Sequence, residues 1–143
     1  MRTFASLLFC SLVLICGCHS GRLVQGRGDA GQFILQHAIA YGGRPIVTNN
    51  LPTIAGDWSY VQDEFGVGVE LPATQFQTAQ TFLRSAFGAP SNRAGWSVRD
   101  FGVAIFLELV GSNTVVSVHP PMSDEKMAYI LGKKTDAIQK NAH

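Results

Sequence analysis

The chain of 143 residues carries no excess of either charge: eleven Lys and Arg stand against ten Asp and Glu, a formal net charge of +1. A protein that grips nucleic acid through phosphates needs a clear basic surplus, so that partner class is not expected. No apolar run reaches the roughly 20 residues that a bilayer-spanning helix requires, because the longest, Phe4 to Cys16, stops short. Cysteine is absent after position 18, which excludes a thiol nucleophile and a cysteine zinc site in everything that follows. The four histidines, His19, His37, His119 and His143, fall into no H-x₃-H or H-E-x-x-H spacing, so no metal site is expected. There is no G-x-S-x-G, P-loop or complete G-x-G-x-x-G; Gly66-Val67-Gly68 lacks the third glycine and lies within a strand pattern. No cofactor is expected. What is present is apolar material, 46% of residues against 15% charged, enough for a packed core in a chain of one-domain length.

Part of that apolar material lies at the start. One cation, Arg2, precedes the run Phe4–Cys16, and the small residue Gly17 follows, the layout of a secretory signal peptide. Ile15-Cys16-Gly17-Cys18 resembles the lipobox of bacterial lipoproteins, with an aliphatic residue at −3, a small residue at −1 and cysteine at +1. The resemblance implies a thioether-linked diacylglyceryl group on Cys18, cleavage between Gly17 and Cys18, and acylation of the new amine. It also implies that residues 1–17 leave, taking Cys10 and Cys16, and that the chain is held in the cell envelope by acyl chains. Position +2 is His19 and not the aspartate of the inner-membrane sorting pattern. This implies the outer membrane in a Gram-negative cell, or the outer face of the plasma membrane in a Gram-positive one.

The pattern then divides into a Gly-rich tether over 18–29, one domain over 30–132 and a polar tail over 133–143. Eleven flexible tether residues would reach roughly 18 Å. Within the tether, Arg27-Gly28-Asp29 spells an adhesion tripeptide, but Asp29 reads as a helix cap. Ala30, Phe33, Ile34, His37, Ala38 and Tyr41 share a helical face that Gly42-Gly43 ends. Trp58 and Tyr60 alternate, as do Phe65, Val67, Val69 and Leu71, which gives a hairpin through 62–64. A helix over 74–87 carries a Thr74/Gln77 capping box and stops at Gly88. A second hairpin over 101–119 turns at Gly111-Ser112, and the apolar pattern sets Leu107 opposite Val116 and Ile105 opposite Val118. Ser123 caps a last short helix over 124–131. The order α-β-β-α-β-β-α predicts an α+β fold, an antiparallel-rich sheet with helices on one face and solvent on the other.

Two groups of side chains are candidates for function. Trp58, Tyr60 and Trp96 flank turns, where exposed rings could grip a peptide or glycan, although core filling is the commoner use of tryptophan. Glu108, Ser117 and His119 share the polar face of the second hairpin, the sole acid–nucleophile–base grouping that can be assembled, and polar alternation alone also produces it. The sequence thus points to a membrane-anchored, non-enzymatic accessory or binding module for an envelope protein or peptidoglycan. The alternative is a small envelope hydrolase or enzyme inhibitor with its site on the exposed sheet face.

Overall fold

The computed structural model describes residues 22–126, 128, 129 and 132. Asp29 starts the first helix, α1 (Ala30–Ala40). Its backbone is extended, and one carboxylate oxygen accepts from the backbone N–H of Gly31 and of Ile54, both at 2.9 Å. One side chain therefore caps a helix and pins a distant loop to it. The buried stripe is Ala30, Ile34, Leu35 and Ala38. Gly31 lies against Phe82, where a Cβ would come within 2.6 Å of the ring, so the two helices meet at that glycine.

Six antiparallel strands form one sheet. In chain order they are β1 (Val24–Gln25), β2 (Ser59–Asp63), β3 (Gly66–Pro72), β4 (Gly95–Trp96), β5 (Ala104–Val110) and β6 (Asn113–His119); in space the order is β1-β2-β3-β6-β5-β4. The hairpin of β5 and β6 has the expected register, Leu107 opposite Val116 and Ile105 opposite Val118. Gly111 at φ 60° occupies the first turn position while Ser112 keeps a negative φ, as a type II′ turn demands. Between β2 and β3, Asp63 turns the chain by accepting from the N–H groups of Phe65 and Gly66.

α2 (Phe76–Phe87) covers the same sheet face as α1 and buries Ala79, Phe82, Leu83, Ala86 and Phe87. Full burial of a phenylalanine is worth about 1.5–3 kcal/mol, so this helix is held by packing and not by its ends. The expected capping box does not form: residues 73–75 make a 3₁₀ turn, and Gln75 at the helix start makes no side-chain cap. Tertiary bonds replace it. Ala73 donates its N–H to Ser112 O, Thr114 Oγ1 donates to Ala73 O, and Gln75 Nε2 donates to Ala55 O. Gly88 closes the helix at φ 90° as its sequence suggests.

The fold is α+β, with helices on the sheet, but three expectations need correction. The stretch read as tether is built into the domain from Val24 onward, because β1 pairs with β2. β4 and a one-turn helix, α3 (Val98–Phe101), occupy a segment with no periodic signal. The second sheet face is not solvated: Val61, Ala104, Phe106, Val115, Ser117 and His119 are all buried. Gly66, Gly68, Ala104 and Ser117 are small residues on this face, and β3 and β6 are buried along nearly their whole length. The expected last helix is seen where it is described: residues 124–126, 128 and 129 are helical, and Ser123 Oγ accepts from Lys126 N–H at 3.2 Å; Gly132 is helical too, so it is not the stop that would end the helix at 131.

Trp58 locks β1 in place. Its carbonyl accepts from Gly26 N–H at 2.8 Å, its indole N–H donates to Gly28 O at 2.9 Å, and its ring lies where any Cβ on Gly26 would stand. Gly26→Ala should therefore destabilise the chain by about 1–3 kcal/mol through forced overpacking. Gly28→Ala meets no atom and bears only the cost of φ 77°, about 1–2 kcal/mol. Equilibrium denaturation with near-ultraviolet circular dichroism separates them, because only the first should alter the tryptophan signal before unfolding.

Candidate functional site

One end of the sheet carries a cleft of about 500 Å³. β1 and the residue before it supply Leu23 and Gln25, the start of β2 supplies Trp58 and Ser59, the end of β3 supplies Glu70, Leu71 and Pro72, and the β5–β6 turn supplies Ser112 and Asn113; Asp57 completes the lining. Pairing explains the assembly. Ser59 stands opposite Glu70, Gln25 opposite Ser59 and Asn113 opposite Pro72, so three strand ends and one turn converge at a single level of the sheet.

Glu70 sets the chemistry. The alternation of β3 sends Val69 and Leu71 into the helix-covered core and Glu70 to the opposite face, between Ser59 and Val115. The residue is only 9% exposed, and Oε2 is buried with no hydrogen-bond partner among the described residues. Buried carboxylates are normally satisfied, and one left without donors costs free energy. Burial raises the Glu70 pKa above its ordinary value of 4.5, and neither a cation nor a donor opposes the shift. Asp57 adds a second acidic side chain, and among the described residues no basic side chain lines the cleft.

The aromatic candidates lie elsewhere in function. Trp58 and Trp96 are core residues, 5% and 3% exposed, which corrects the expectation of exposed rings at the turns. Their indole N–H groups are used internally, Trp58 on Gly28 O and Trp96 on Gly88 O at 3.0 Å. Trp58 also forms one wall of the cleft. Tyr60 is half-buried and joins Phe33 (ring centroids 4.5 Å apart), which also touches His37 at 4.1 Å and Trp58 at 4.8 Å. His37 Nδ1 donates to Phe33 O, the satisfied role of a helical histidine.

The grouping of Glu108, Ser117 and His119 does not lie on an exposed face. Ser117 and His119 are buried, and the register places Glu108 opposite Val115 and Ser117 opposite Phe106. His119 Nδ1 is 2.8 Å from Phe65 O; a carbonyl only accepts, so this nitrogen carries hydrogen and serves the β2–β3 turn. Arg27 is exposed and Asp29 is committed to its cap, so the tripeptide is not presented as a unit. Gly17, Cys18, His19 and His143 lie outside the described residues. Among the described residues no group of three or more His, Cys, Asp and Glu could hold a metal ion.

A second cleft, of about 480 Å³, is lined by Trp96, Phe106, Ala104 and Met122 with Arg99 and Asp124 at its border. It is the more apolar of the two, and among the described residues none of its lining carries a buried side-chain polar atom without a partner. The sequence reading missed Glu70, although a signal was available: it is the sole charged side chain in the run Gly66–Leu71, and its neighbours in that alternation are glycines. Comparison of the chain with known protein families, curated proteins and solved structures finds no match to any of them.

The unpartnered carboxyl has a thermodynamic signature. A raised folded-state pKa favours the fold while the acid is protonated, and this advantage is lost as pH rises from about 4.5 through the folded value. Glu70→Gln keeps the shape and removes the charge, so it should raise the melting temperature at pH 7 by roughly 3–5 °C, as about 1 kcal/mol would in a domain of this size. The difference should shrink towards zero as pH falls below 4.5, which calorimetry across a pH series checks directly.

Proposed function

We propose that this chain is a lipid-anchored protein of the cell envelope whose domain is a non-enzymatic binding or accessory module, with its cleft held beside the membrane. The observation that carries the reading is the position of the cleft mouth. Leu23 and Gln25 line it, only five and seven residues after Cys18. Even fully extended, five residues span at most about 18 Å, so an acyl anchor on Cys18 keeps the cleft within a headgroup layer or two of the bilayer. One acyl chain gives marginal attachment and two or three make release slow, so membrane residence needs no protein partner.

Binding is favoured over turnover by the chemistry of the cleft. General acid–base catalysis needs a titratable group within reach of a second acid, a base or a nucleophile, and the Glu70 carboxyl is hydrogen-bonded to none. The arrangement resembles half of a recognition pair awaiting a donor. The membrane is the first partner through the acyl chains; an envelope protein or peptidoglycan is the second.

Cys18→Ser should move the protein from the membrane to the soluble fraction, and mass spectrometry of the wild-type amino-terminal peptide should show a diacylglyceryl cysteine as residue one. Unchanged fractionation with an unmodified thiol would refute the reading.

A further inference from the structure

We infer that the Glu70 cleft is a binding site for the primary ammonium group of an aminophospholipid headgroup, taken from the bilayer to which the chain is anchored. The inference rests on the lipid-anchored reading and adds the chemical class of the ligand.

Three observations lead there. First, Glu70 is nine-tenths buried, lines the cleft and leaves Oε2 without a donor among the described residues. The last torsion of glutamate is broad and two-fold, so either oxygen can be turned to a ligand at small cost. What such a carboxylate lacks is an N–H donor, preferably charged, since charge-assisted hydrogen bonds are roughly twice as strong as neutral ones. Second, among the described residues the lining carries Glu70 and Asp57 and no cation, which favours a positive ligand over an anionic one; Gln25, Ser59, Ser112 and Asn113 supply neutral donors and acceptors around it. At about 500 Å³ the space lies within the roughly 300–1,000 Å³ common for small-molecule sites. Third, the charges next to β1 have the opposite sign. Arg22 precedes the lining residue Leu23, Arg27 follows Gln25 by two residues, and both are exposed. Acidic lining residues, with exposed arginines two residues to either side of β1 in the chain, suit a zwitterion whose ammonium meets Glu70 and whose phosphate meets an arginine. A free amine or a lysine side chain has no use for the two arginines, and a quaternary ammonium has no N–H to give Glu70.

The test uses the full chain purified from a detergent extract of whole cells, whichever fraction holds it, in dodecyl maltoside micelles, with soluble probes followed by the amide resonances of Gln25, Ser59 and Asn113. Glycerophosphoethanolamine should give saturable shifts at these residues. Glycerophosphocholine, which has the same phosphate but no N–H, should bind at least tenfold more weakly, and Nα-acetyl-lysine methylamide, an amine without phosphate, at least threefold more weakly. Glu70→Gln should weaken glycerophosphoethanolamine binding at least tenfold while leaving resonances outside the cleft in place; Arg22→Gln, at an exposed position, should weaken it about threefold. Equal binding of the ethanolamine and choline probes, tighter binding of the lysine probe, no saturable shift, or unchanged affinity in Glu70→Gln would each overturn the inference. Because the probes are soluble, the result does not depend on acylation of Cys18, so a failed site and a failed anchor are read separately.

Discussion

The clasp between Trp58 and the glycines before α1 is the contact on which the rest depends. Without it residues 22–28 would be a loose leader with nothing to do beyond spanning a gap. With it, the indole N–H, the Trp58 carbonyl and the flat face of the ring hold Gly26 and Gly28 against the sheet, and β1 is placed beside β2. Two consequences follow from one side chain. The leader becomes a wall of the cleft, and the distance from Cys18 to that wall is set by the few residues before Leu23 instead of by a flexible linker.

The parts of this fold that sequence alone revealed are those where local chemistry and tertiary structure agree. Asp29 before a helical stripe, Gly88 after one, and Gly111-Ser112 between two alternating runs each specify a backbone geometry that packing then uses unchanged. The failures have a common form: a local signal is overruled by a partner far along the chain. Thr74 is prevented from capping because Ala73 is already bonded to the turn at Ser112. Val24-Gln25 has no strand signal and becomes one only because Trp58 grips its neighbours. The second sheet face reads as polar when Gly, Ala and Ser count as surface residues, whereas here those positions are buried.

The candidate site was legible in part. Trp58 was singled out for the wrong reason, as an exposed ring, and matters as a wall. Tyr60 lies in an aromatic row beside α1 and not in the cleft. Glu70 could be placed on a strand but not in a cavity, since the residues around it come from positions 23 to 113 and only the sheet order brings them together. Periodicity assigns a residue to a face; it does not say whether that face ends in a hollow.

The centre of the sheet is two hairpins, β2–β3 and β5–β6, joined along the seam between β3 and β6, with β1 and β4 at the edges. Each hairpin closes a short loop and can form early, whereas the seam joins residues some forty positions apart and must come later. The cleft straddles this seam, with Glu70, Leu71 and Pro72 on one bank and Ser112 and Asn113 on the other. A half-assembled chain therefore has neither pocket nor grip, and an occupant acts as a staple that only the completed molecule can accept. By mass action any ligand bound across the seam would hold the two halves together against proteolysis.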